Sequence, residues 1–283
     1  MAGLVAGIDH VIIAVRDFGR VDLNWTRLGF ALTPRGRHLQ RGTANYCVMF
    51  ATDYVELLGV VDPAQDLGGV DAFLAQREGI RSIAFASDAG SGTAAALAAR
   101  GLHPGTPRDL ARQVELAEET IVPRFRLVAL PPEETPGLDV LFCQHLTPEL
   151  IRQPAWLAHP NGALALHGVT VVVESTAPLA AAYEKLVGPA AVNKTDAVLT
   201  VHAGPHRIVF ATPDDFSALY PEVTLASALT LPAAAVLSLV SRDIELTIDH
   251  LTQWQVPYET LADGAVLVPP EEANGAALLF TPV

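Results

Sequence analysis

Cysteine is scarce: Cys47 and Cys143 are the only two in 283 residues, and they form no CxxC pair. Two are too few for a disulfide framework, so both are expected as buried, reduced thiols, which fits a cytoplasmic location. No Lys/Arg-rich block occurs, and the formal net charge is -13. An acidic surface repels nucleic acid and anionic membranes, so neither is expected as a partner. Long hydrophobic runs are also missing. The longest apolar stretch, residues 231–240, falls well short of the roughly 20 residues a membrane-spanning helix needs. The apolar residues 1–7 are followed at once by Asp9 and His10 and have no basic residue before them, so they do not read as a signal peptide.

Aromatic residues are few, at 6%, yet 50% of the chain is hydrophobic, so sizeable cores can be buried. At roughly 100–200 residues per domain the length implies about two domains. A small molecule is the default partner.

Four segments look alike, each a β-rich apolar run ending near an acidic residue: 10–17 at Asp17, 82–88 at Asp88, 167–174 at Glu174 and 236–243 at Asp243. An amphipathic helix is predicted after each acid, over 19–28, 94–100, 179–186 and 244–253. Gly29, Gly101 and Gly188 stand where helix C-caps belong. The acid or its neighbour is a candidate N-cap. Three more strands follow, predicted in the first unit at 30–33, 44–50 and 54–60. In the later units the last strand is clearest, at 139–143, 207–210 and 276–280. The order β-α-β-β-β thus recurs four times. The longest interval between acids separates the second unit from the third, and the Pro-containing residues 147–160 lie in it. This places a boundary near residue 158, with domains 1–158 and 159–283.

A strand alternates its faces. In the first strand Val11, Ile13 and Val15 share one face, and His10, Ile12 and Ala14 share the other. In the last strand of that unit Val55 and Leu57 oppose Tyr54, Glu56 and Leu58. The aliphatic faces suit packing on the helix, which leaves His10 and Glu56 for a concave side. An imidazole and a carboxylate there make a candidate divalent-metal pair. Equally, the two can satisfy one another, or Glu56 can pair with an arginine.

The ordered set Ile8-Asp9-His10-Val11-Ile12-Ile13-Ala14-Val15-Arg16-Asp17, Leu28-Gly29-Phe30, Gly36-Arg37-His38, Gly42-Thr43-Ala44-Asn45 and Tyr54-Val55-Glu56-Leu57-Leu58-Gly59 resembles the glyoxalase-like branch of the vicinal-oxygen-chelate superfamily. Segments 144–149 and 159–163 are similar to it as well. The resemblance implies an α+β fold of four βαβββ modules in two paired glyoxalase/bleomycin-resistance-like domains. It implies a divalent metal ion in a cleft of the first domain, held by His10 and Glu56. In the second module Ser82 or Arg81 stands where a His or Gln ligand belongs, and Gln144, beside His145, where a Glu is usual. Gln144 is the expected third ligand through its amide oxygen. Glu56 and His38 are the expected catalytic residues, and Asn45, Tyr54 and His145 the expected substrate contacts. The function implied is a metal-dependent lyase or isomerase step on a small oxygenated molecule, through a stabilised enolate or oxyanion. The alternatives are a metal-free cleft that sequesters a drug or metabolite, and a scaffold for association. A clean two-His-one-carboxylate set for ring-cleaving iron chemistry is not legible in the chain.

In the later units His167 matches the His10 position, but Ile208, Val209, Val236 and Leu279 occupy the other ligand regions. The second domain is therefore expected to be metal-free. His38 and Asn45 have a second reading as local turn chemistry. Trp156, His159 and Asn161 are expected to seal the domain junction. The turn Gly90-Ser91-Gly92-Thr93 reads as a capped loop rather than an anion site, since no Lys follows. Modules of this superfamily pair within or between chains, so a homodimer is compatible with four modules.

Overall fold

The computed structural model describes residues 4–87, 92–225 and 229–283. Asp88, Gly90 and Ser91 lie outside the described residues, so the reading of that turn is not carried further. The first module consists of β1 (Ile8–Val15), α1 (Val21–Arg27), β2 (Gly36–His38), β3 (Thr43–Met49) and β4 (Tyr54–Val60). A connecting helix α2 (Val70–Gln76) leads to the second module. That module holds β5 (Gly79–Ala86), α3 (Gly92–Ala99), β6 (Arg108–Glu115), the short β7 (Thr120–Ile121), β8 (Arg124–Ala129) and β9 (Asp139–His145). The third comprises β10 (Ala163–Val172), α4 (Leu179–Val187), β11 (Val192–Lys194), β12 (Val198–Ala203) and β13 (His206–Ala211), followed by an extra helix α5 (Pro213–Leu219). The fourth comprises β14 (Ala233–Ser241), α6 (Ile244–Gln253), β15 (Glu259–Thr260), β16 (Val266–Val268) and β17 (Ala277–Pro282). This is the α+β arrangement of four βαβββ units. None of the helices among the described residues is long and apolar enough to cross a membrane.

The modules pair within the chain. In each module the first strand lies parallel to the last, as in β1–β4, β5–β9, β10–β13 and β14–β17. Modules join through antiparallel first strands, β1 to β5 and β10 to β14. The first sheet runs β2-β3-β4-β1-β5-β9-β8-β6-β7, and β2 also pairs with β6, which closes eight strands into a barrel. An eight-stranded barrel has an interior just wide enough for side chains or one small ligand. The second sheet, β11-β12-β13-β10-β14-β17-β16-β15, has no such closing pair among the described residues.

One predicted strand is displaced. Residues 30–33 form a loop in which Phe30 and Thr33 are buried, and β2 begins only at Gly36. Pro34 follows directly and has no N–H for a ladder, so pairing resumes beyond it. Of the acids expected as caps, Asp243 accepts from the Glu245 N–H at the start of α6, whereas the N-cap positions of α1 and α4 are Arg20 and Pro178, which supply no side-chain cap. Gly29 and Gly101 do adopt positive φ, 88° and 74°, just past α1 and α3.

Period-two alternation sorts each strand between two environments. Val11, Ile13, Val15, Val55 and Leu57 enter a core shared by both sheets, which also buries Trp25 and Tyr183. Trp25 donates its indole N–H to Asn274 Oδ1 at 2.9 Å, tying α1 to the fourth module. The connector adds polar ties: the His159 ring accepts from the Ala31 N–H at 3.1 Å and donates to Met49 O at 3.0 Å, and the Asn161 amide donates to Leu28 O at 2.9 Å. Both side chains are buried, so they serve the junction. Trp156 and Leu157 pack instead on Met49, Tyr54, Phe125 and Cys143, residues of the first barrel's interior.

The inner face of the second sheet is covered by its own chain. Phe216 of α5 and Val223 pack on Val172, Ala211, Val236, Leu267 and Leu279, and the Thr170 hydroxyl bonds that of Tyr220 at 3.1 Å.

Candidate active site

The cleft-facing side of the first barrel carries the chemistry. His10, His38, Asn45, Tyr54, Glu56, Arg112 and Cys143 line one cavity of about 100 Å³. Ladder registers bring them there. His10 pairs with Tyr54 and Ile12 with Glu56 across β1–β4. Cys47 pairs with Glu56 across β3–β4. His38 pairs with Arg112 across the closing β2–β6 ladder.

Glu56 is the hub. Its Oε1 accepts from Asn45 Nδ2 at 2.5 Å and faces His38 Nε2 at 3.6 Å. Its Oε2 faces His10 Nε2 at 3.7 Å. Each imidazole is held from behind. His10 Nδ1 donates to Asp9 Oδ2 at 2.7 Å, and His38 Nδ1 shares a hydrogen bond with Thr43 Oγ1 at 2.9 Å. Both rings thus turn Nε2 toward the carboxylate, the way a ligating histidine is oriented by an outer partner. The ladder register shifts between Ile8 and His10, and such an irregularity lets neighbouring side chains share one side. Asp9 also accepts from His145 Nε2 at 2.9 Å.

Burial by itself would raise the Glu56 carboxyl. The facing His38 and His10 and the Asn45 amide outweigh it and hold the group below its ordinary range. Asp9 behaves alike: burial is outweighed by its hydrogen bonds to His10 and His145, and the carboxyl lies far below its usual range. Burial lowers His38 from 6.5 to about 4, against the opposing pull of Glu56. Burial raises the Tyr54 phenol and the Cys143 thiol well above their ordinary values, so both stay protonated.

Most of the expected site residues meet here: His10, Glu56, His38, Asn45 and Tyr54 line the cavity. His145 sits behind it, edge-on to Tyr54 and Phe125. Gln144 is not brought to the cleft. Leu141 and Cys143 of β9 line the cavity, so Gln144 falls on the opposite face by strand alternation. Its Oε1 is buried without a hydrogen-bond partner. Ser82 pairs with Ile12 and Arg81 reaches the cavity wall.

Sequence reasoning did not single out Asp9 or Arg112. Arg112 carried a signal, since it stands between Leu110 and Val114 on one face of a strand. Gly36 also proves specific, because a Cβ there would lie 2.5 Å from Asn45 Oδ1 and 3.0 Å from Arg112 Cδ.

The donor set fits a divalent cation. Two imidazole nitrogens and a carboxylate suit divalent first-row ions. Among the described residues a tighter grouping exists, Asp9, His10 and Cys143, whose ligand atoms lie within 4.8 Å of one another. Asp9 is already bonded to both imidazoles and Cys143 is held as a thiol, so this group acts as support behind His10. His10, His38 and Glu56 do not close to that spacing; the carboxylate stands between the rings, one oxygen to each.

Comparison with solved structures finds the same fold. A hypothetical protein from Staphylococcus aureus matches with a TM-score of 0.67 at 13% identity, covering 98% of this chain and 99% of that one. A triple mutant of 4-hydroxymandelate synthase from Streptomyces coelicolor matches with a TM-score of 0.61 at 12% identity, covering 98% and 92%. A fusion protein of a xylose isomerase-like TIM barrel and 4-hydroxyphenylpyruvate dioxygenase matches with a TM-score of 0.58 at 12% identity; the similarity covers 100% of this chain and 49% of the fusion. No curated protein matches the sequence. The profile of the glyoxalase-like domain matches residues 8–187, which span the first barrel and reach the end of α4. The chain therefore belongs to the glyoxalase-like domain family, of the vicinal-oxygen-chelate type.

Proposed function

We propose that the protein is a metal-dependent enzyme of the vicinal-oxygen-chelate type that acts on a small oxygenated molecule inside the first barrel. The observation that supports this best is the buried Glu56 carboxylate with an imidazole Nε2 near each oxygen. His10 and Glu56 would hold the ion, with His38 as the third donor in place of Gln144. A His38 that titrates at about 4 is neutral at neutral pH. Such a ring ligates well, but as a general base it is weak, since the best bases titrate near the working pH. A divalent ion bound there would supply Lewis-acid stabilisation to vicinal substrate oxygens, the electrostatics of a lyase or isomerase step.

The chain's own residues have separable tasks. Asp9 fixes the His10 ring and keeps its Nδ1 protonated. Asn45 holds one oxygen of Glu56, which orients the other. Tyr54, protonated and stacked on His10 with ring centroids 4.5 Å apart, offers a hydroxyl donor. Domain 1–158 carries the site, and domain 159–283 supports it through the shared core. A homodimer is not needed to complete the cavity, because both modules come from one chain. His38 makes a two-imidazole, one-carboxylate set, which the sequence did not show. That pattern also suits non-haem iron, so ferrous ion belongs among the metals tried.

The second reading is a metal-free binding cleft. It draws on the second module, which among the described residues brings no His or carboxylate to the cavity wall. Thermal unfolding with Zn²⁺, Mn²⁺, Co²⁺ or Fe²⁺ against a chelator separates the two. A rise in midpoint that His10→Ala and Glu56→Ala abolish supports the enzyme reading, since selective binding to the native state stabilises it. No response to any of these ions leaves the binding reading.

A further inference from the structure

We infer that the substrate is a small organic acid whose carboxylate is received by Arg112; this rests on the first-barrel cleft being the substrate site. Arg112 lies on β6, is only 3% exposed, and lines the same cavity as Glu56. Among the described residues its guanidinium has no carboxylate within salt-bridge distance. Its one hydrogen bond runs from Nη1 to Cys47 Sγ at 2.9 Å. Nε is buried without an acceptor, and no described group accepts from Nη2. The unused Nε–Nη2 edge is the planar fork that meets a carboxylate in two parallel hydrogen bonds. Burying a guanidinium with that edge unpaired costs stability, and a ligand that completes it removes the cost.

The guanidinium is fixed from the other sides. Its Cζ lies 5.5 Å from the centroid of the Phe125 ring, and its strand is tied to β2 opposite His38. The cleft's charge points the same way. The chain carries -13 overall, yet among the described residues Glu56 is the lone carboxylate lining the cavity, against Arg41, Arg81 and Arg112. The cavity opens on a wider groove of about 790 Å³ that shares Arg41, Arg81, Leu110, Leu127 and Leu141 with it and adds Arg108 and Arg124, which with Arg41 and Arg81 outnumber the two carboxylates there, Asp66 and Asp109. Cations at the mouth of a cleft draw anions in, and the leucines fit an apolar body behind the acid group. A planar carboxylate suits the small inner chamber and the fork better than a tetrahedral phosphate does.

The test uses 2-oxohexanoate, 2-oxohexanamide and inorganic phosphate as probes, by calorimetric titration of the whole chain, once in chelator and once after metal loading. The acid is expected to bind about tenfold or more tightly than the amide, as a bidentate charged pair would give. Arg112→Gln is expected to erase that preference, and Arg112→Lys, with charge but no fork, to keep only part of it. Should Arg112→Gln fail to fold, the acid-to-amide ratio of the unmodified protein and the Arg112→Lys ratio still decide. Equal binding of acid and amide, an unchanged preference in Arg112→Gln, or phosphate binding as tightly as the acid overturns the inference. Acid preference in chelator without any metal response would uphold Arg112 while the metal reading fails. Metal binding with no acid preference would do the reverse.

Discussion

His38 and Arg112 face each other across the β2–β6 ladder, the pairing that closes the first barrel. Barrel closure therefore also sets the charge of the cleft. It sets a guanidinium beside an imidazole that burial already keeps neutral, and Arg112 pushes that imidazole further from protonation.

Acid should destabilise the protein through His38. The folded chain binds the His38 proton only near 4, whereas the unfolded chain binds it from about 6.5. The stabilisation is complete above 6.5 and is lost as pH falls toward 4. It amounts to at most about 3 kcal/mol. Urea unfolding in chelator should show this decline, and His38→Gln should flatten it. An unchanged slope in His38→Gln would contradict the assignment.

Asp9→Asn should weaken metal binding without removing a ligand. The substitution leaves His10 Nε2 in place but loosens the ring that Asp9 Oδ2 fixes at 2.7 Å. Outer partners of ligating histidines are worth about 10–100-fold in affinity. Calorimetric titration with Zn²⁺ checks the value. Wild-type affinity in Asp9→Asn would mean that His10 is oriented by something else.

Gly36→Ala should strain the closing strand. The new methyl would meet Asn45 Oδ1 at 2.5 Å and Arg112 Cδ at 3.0 Å. Overpacking of this kind costs about 1–3 kcal/mol, readable as a lower urea midpoint. The site should suffer too, because both neighbours belong to it.

Gln144→Leu is the matching control. Gln144 lies on the far face of β9 with an unpartnered amide oxygen, so metal affinity should not change. Stability should hold or rise, since a buried orphan acceptor is removed. A loss of metal in this variant would return Gln144 to the ligand set.

The fold was legible because the signal is periodic and repeated. Val11, Ile13 and Val15 against His10, Ile12 and Ala14 identify the faces of β1, and both sides fall where alternation puts them. Loop residues were harder: Pro34 displaced the second strand, and α2 and α5 have no counterpart in the repeat. In the site, His10, Glu56, His38 and Asn45 were readable because they stand within one module. Arg112 was not, because its place depends on β6 meeting β2 across the barrel, some seventy positions apart in sequence. Gln144 went astray through a shift of one residue, which moves a side chain to the other face of a strand.

The most direct measurement is elemental analysis of the purified protein after reloading with divalent ions and removal of excess. The account expects one ion per chain in the unmodified protein and in Gln144→Leu, and none retained by His10→Ala or Glu56→Ala. Absence of a specifically bound ion in the unmodified protein, or its retention in both alanine variants, would contradict it.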